Sequence, residues 1–108
     1  MPSTWYSGGL SGAQAAGTVI VDSGQLSHEL GTVAVVGVFN ADVAAQFTIA
    51  HRNAANTADL SSQDITLLAS SPFTFGPFNM SPLDNERVRI VLKSALLAGN
   101  VFVSLFFT

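Results

Sequence analysis

The chain contains no cysteine and little charge: charged residues make up 10% of it, against 48% hydrophobic. The first absence removes disulfides, zinc–thiolate centres and thiol nucleophiles together. The second lies far below the roughly 25% charge of an ordinary soluble domain. A small domain must cover a large surface, so part of this one is expected to be buried against neighbouring molecules. The four cations, Arg52, Arg87, Arg89 and Lys93, form no run and the net charge is −3. A phosphate-tracking nucleic-acid site is therefore not expected. No apolar stretch approaches the roughly 18 residues of a membrane span, so no membrane association is expected. Met1-Pro2-Ser3-Thr4 has no basic region followed by an apolar run, and no secretory leader is expected.

Groups that carry chemistry are as scarce. The two histidines are His28 and His51. His28 and Glu29 are sequence neighbours, so on a strand they point to opposite faces and cannot share a metal. His51 stands beside Arg52, whose charge repels a cation. No Gly-x-Ser-x-Gly elbow and no phosphate-binding glycine loop occur. The acid pairs Asp84/Glu86 and Asp59/Asp64 sit in or near turns, where carboxylates are ordinarily just solvated. No enzyme activity, catalytic residue, cofactor or metal is expected. Arg87 and Arg89 share a face with Lys93 nearby, and the simplest use of that stripe is cross-strand pairing with an acid.

What the chain does contain is strands. With 108 residues it has room for one core. The central stretch, residues 32–51, reads as two strands joined by a turn at Asn40-Ala41-Asp42. In its second half Phe47 and Ile49 share one face and Gln46 and Thr48 the other. Further strands are expected over residues 18–22, 25–30, 63–69, 73–78, 87–93 and 101–107. Pro72 and Pro77 mark residues 73–78 as an edge strand or an extended connection. Eight short strands with Gly, Pro, Asn and Asp between them, and no helical period, indicate an all-β protein. The expected fold is an antiparallel β-sandwich, jelly-roll-like, over residues 18–108. Phe47, Ile49, Val88, Ile90, Val103 and Leu105 are its expected core.

Two strands have no polar face. Val33, Val35 and Phe39 lie on one side of the first, yet Ala34, Val36 and Val38 opposite are equally apolar. In the last, Phe102 and Phe106 stand opposite Val101, Val103, Leu105 and Phe107. A strand apolar on both sides must be covered on both sides. Ala34, Val36, Val38, Phe102 and Phe106 are therefore expected at an interface between copies of the chain. Residues 1–17 read differently. SGGLSGAQAAG has turn composition and no period, so this segment is expected to be a flexible arm. Trp5, Tyr6 and Leu10 would be its docking residues, the alternative being a loose end whose aromatics tuck onto the domain's own core, and deleting residues 1–16 would leave the domain folded.

The stretches HRNAAN (51–56) and LDNERVRIVLKSALLAGNVFVSLFF (83–107) give the chain a resemblance to small virion proteins of tailed bacteriophages. It is similar to their head-decoration, or cement, proteins. That resemblance implies a non-enzymatic homotrimer bound to the major capsid protein on the capsid surface and made in the host cytoplasm. It supplies no motif whose residues have assigned roles. A tail or baseplate component with the same fold is a neighbouring reading. From a different class stands a small carbohydrate-binding module, with Trp5, Tyr6 or the Phe73–Phe78 segment as its platform.

Overall fold

Alternation of inward and outward side chains sets the faces of the strands. The computed structural model of the chain describes residues 4–27, 31, 33–69 and 72–108. Among these residues it has eight strands: β1 (Thr4–Ser11), β2 (Val19–Asp22), β3 (Val33–Ala41), β4 (Ala45–Arg52), β5 (Asp59–Leu67), β6 (Phe73–Met80), β7 (Arg87–Leu92) and β8 (Asn100–Phe107). They form two four-stranded antiparallel sheets, ordered β1-β8-β3-β6 and β2-β7-β4-β5. Every connection except β4–β5 passes from one sheet to the other. This is the jelly-roll arrangement, in which the chain winds through two packed layers.

The core lies between the layers. In β7, Val88, Ile90 and Leu92 are buried while Arg87, Arg89 and Val91 are only half-buried. β8 buries Val101, Val103, Leu105 and Phe107. β4 buries Phe47 and Ile49. All six residues expected in the core are there. Phe39 of one sheet meets Phe47 of the other with ring centroids 5.1 Å apart. As expected from its prolines, β6 is an edge strand.

The central stretch departs from the expected pairing. β3 pairs with β6 and β8, and β4 with β5 and β7, so the two strands do not hydrogen-bond to each other as a hairpin. They form an arch between the layers. Asp42 holds its corner: its amide donates to the Asn100 carbonyl (3.1 Å), and its carboxylate accepts from Asn100 N (2.8 Å) and Asn100 Nδ2 (3.0 Å). These bonds, that from the Asn100 backbone foremost, hold the Asp42 carboxyl below its ordinary value. On the β2-β7-β4-β5 sheet the Lys93 ammonium, followed by the Thr48 hydroxyl, does the same for Asp64.

Depressed carboxylates contribute stability above their unfolded-state value, near pH 4, and lose it as pH falls through the lower folded values. Thermal unfolding should therefore be level from neutral pH down to about pH 5 and fall below about pH 4. The double variant Asp42→Asn, Asp64→Asn should show a shallower acid decline. A melting series with the parent's slope would discount both carboxylates.

Residues 4–17 of the amino-terminal segment are not an arm. Residues 4–11 are strand β1, paired antiparallel with β8 from Thr4↔Phe107 to Ser11↔Asn100. The chain that follows is also tied down: Gly12 N donates to Gly99 O, Gln14 and Leu96 exchange two backbone bonds, and Gly17 N donates to Leu92 O. The reason lies in two glycines. At Gly8 a Cβ would collide with the carbonyl of Ile20, so only glycine lets β1 close against β2. At Gly9 the Phe102 ring covers the bare backbone, about 3.2 Å from where a Cβ would stand. The expected boundary after residue 17 therefore falls inside the sandwich. The strand expected over 25–30 lies partly outside the described residues, as do His28, Glu29 and Leu30. Leu26 is buried; its amide donates to Glu86 O and its carbonyl accepts from Asn85 N.

Candidate functional site

The two outer faces of the sandwich differ in kind. None of the seven acidic and four basic residues lies in β1, β3, β6 or β8. The register across that sheet sets its outward side chains in rows. Trp5, Phe106 and Val36 form one row; Ser7, Ser104, Val38 and Thr74 the next; Gly9, Phe102 and Asn40 a third. Ala34 stands beside Asn79 at the end of the face. Trp5 stacks on Phe106 with centroids 6.0 Å apart and planes 16° from parallel. Trp5 (61%) and Phe102 (62%) are the most exposed aromatic side chains of this face, and Phe106 and Val38 are exposed beside them. Ala34 and Val36 are half-buried.

The outer face of β2-β7-β4-β5 is paired and wet. Lys93 Nζ lies 2.7 Å from Asp64 Oδ2, and the Thr48 hydroxyl donates to Asp64 Oδ1 at 3.0 Å. Arg87 bridges to Asp22 (3.2 Å) and Arg52 to Asp59 (2.6 Å). Arg52 also binds Asn56 Oδ1 and the Asn56 carbonyl, which fixes the β4–β5 loop. Arg87 and Lys93 of the basic stripe are thus paired with acids of other strands in the sheet, as expected.

The five expected interface residues therefore share one outward face. The three expected arm residues do not act together. Alternation along β1 turns Trp5 outward and Tyr6 and Leu10 inward, where both pack on the core; Tyr6 meets Phe107 edge-on at 5.6 Å. Tyr6 and Leu10 are core side chains, and Trp5 joins the apolar face.

A second feature lies at the opposite edge, between β5 and β6. The first six residues of β5 are all exposed, including Ser61 and Gln63, which share the inward parity of Ile65 and Leu67. The layers part there. A cleft of about 170 Å³ is lined by Ile49, His51, Ser61, Ser62, Gln63 and Phe75. His51 Nε2 lies 2.9 Å from Glu86 Oε1, an oxygen that also accepts from Leu83 N. No sequence motif marks Ser61 or Gln63. The signal that could find them is parity: a glutamine two residues before Ile65 on an inward face marks where the core ends. Among the described residues no three His, Asp or Glu side chains come together as a metal site. Compared with known proteins, the chain matches no family model, and no curated protein matches it in sequence.

Proposed function

We propose that the protein is a non-enzymatic structural protein that works as a homo-oligomer, with the outer face of β1-β8-β3-β6 as the contact between copies. One observation carries this reading: a four-stranded sheet without a single charged residue whose outward side shows Trp5, Val38, Phe102 and Phe106. Monomers seldom expose contiguous apolar patches beyond a few hundred Å². Its edge strands β1 and β6 also lack the charges that usually keep sheet edges from pairing with other molecules. Burial at about 25 cal/mol per Å² supplies several kcal/mol per subunit before the costs of association, enough for assembly at micromolar concentration. The resemblance to phage head-decoration proteins extends the proposal to a capsid-bound trimer that bridges capsomers. Several such contacts engaged at once bind far more strongly than one.

Light scattering at low micromolar concentration should give a mass that is a multiple of the chain's. Val36→Glu and Phe102→Glu should each shift it to the monomer, since a carboxylate inside an apolar contact is not tolerated. Circular dichroism should show that the released monomer keeps its strands. A native protein that scatters as a monomer sinks the interface. Co-sedimentation with capsids tests the decoration role separately.

A further inference from the structure

We propose that the cleft between β5 and β6 binds a single neutral sugar ring, a terminal hexopyranose. Its walls differ in chemistry. Ser61 and Gln63, which face inward and whose side chains make no hydrogen bond among the described residues, form one side, with Ser62 between them. Ile49 and the half-buried Phe75 form the apolar part. A pyranose has this same division: hydroxyl groups around its rim and a C–H face that packs on apolar carbon. Hydroxyl and amide groups that both donate and accept suit hydroxyls, which do likewise.

Charge narrows the choice. No Lys, Arg, Asp or Glu lines the cleft, so nothing there pairs with a phosphate, carboxylate or ammonium group. His51, its one titratable lining group, is held at Nε2 by Glu86. Size narrows it again. At about 170 Å³ the cleft falls below the roughly 300–1,000 Å³ of pockets that enclose drug-sized ligands. One ring enters, and the open mouth leaves the rest of a glycan outside. The cleft lies at the edge of the sandwich away from β1 and β8, so oligomerisation through the β1-β8-β3-β6 face and sugar binding are separable.

Amide NMR titration of the full chain with glucose, galactose, mannose and N-acetylglucosamine at millimolar concentrations tests the assignment. The expected result is saturable shifts at Ser61, Ser62, Gln63 and Phe75 with at least one of the four sugars. Gln63→Ala and Ser61→Ala remove exposed side chains and should leave the melting temperature unchanged. Each should weaken binding roughly three- to tenfold, the loss of one hydrogen-bonding group. Thr66→Ala, on the outward face of the same strand, should bind as the parent does. The proposal is overturned if none of the four sugars gives saturable shifts at these amides. It is equally overturned if Gln63→Ala and Ser61→Ala both bind with parental affinity.

Discussion

Phe47→Ala is expected to lower the stability of the fold by about 3–5 kcal/mol, the range for truncating a buried aromatic side chain. Phe47 is fully buried, and its backbone lies between Ile65 of β5 and Leu92 of β7. Its ring meets Phe39 of the opposite sheet at 5.1 Å. The substitution thus removes the contact that joins the two layers beside the β3–β4 arch. Collapse of neighbours into the space is limited, because Phe39 also closes over the bare backbone of Gly37. A domain with about 5–15 kcal/mol in total has little reserve against such a loss. Each kcal/mol corresponds to roughly 4–8 °C in a domain of this size, so melting should fall by more than about 10 °C. Parent and variant are compared at one protein concentration, since assembly stabilises the folded subunit by mass action. A variant that melts within a few degrees of the parent would place the ring outside the core.

The strands legible in the amino-acid sequence are those whose side chains alternate. β4, β7 and β8 each put a periodic apolar set on one face, and a period of two leaves no other way to bury it. The surplus of apolar residues on the far side of β3 and β8 is legible for the same reason, and it leads directly to the outward face of one sheet. Pairing is harder. Two strands joined by a short polar turn can face each other through backbones, as a hairpin, or through side chains, as an arch. Asn40-Ala41-Asp42 is compatible with both. What decides is pairing with distant strands, β3 with β6 and β8 and β4 with β5 and β7; the Asn100 amide, 58 residues away, then donates to Asp42 at the corner, and no local pattern reveals either.

β1 is hidden in the sequence because its composition is that of a loop. Ser7, Gly8, Gly9 and Ser11 are poor strand formers. Gly8 is used here because β1 closes on β2 of the other sheet, and a side chain at position 8 would block that closure. Local preference gives way to tertiary fit. The cleft is hidden for a related reason: Gln63 and Ser61 occupy inward positions, and only the parting of the layers explains why polar residues stand there.

Deleting residues 1–16 is expected to unfold the domain or drive it to aggregate. The segment contributes a whole strand of one sheet, and its loss would leave β8 as an edge. That edge would present free backbone groups along a strand carrying Phe102 and Phe106 outward, with no charge to discourage pairing with other chains. Inside, Tyr6 and Leu10 would leave the flank of the core and uncover Phe107 and its neighbours. Full burial of a large apolar side chain is worth about 1.5–3 kcal/mol, so two half-buried ones contribute at the low end of that range before the eight-residue pairing with β8 is counted. Gly8→Val makes the same point with one substitution. It keeps all of β1 but forces a branched side chain against the Ile20 carbonyl, which must separate β1 from β2 or distort both. Circular dichroism and thermal melting of the two variants, each compared with the parent at one protein concentration, provide the measurement. A truncated protein that keeps the parent's spectrum and melting temperature would restore the flexible arm, and β1 would have to be given up as a structural strand.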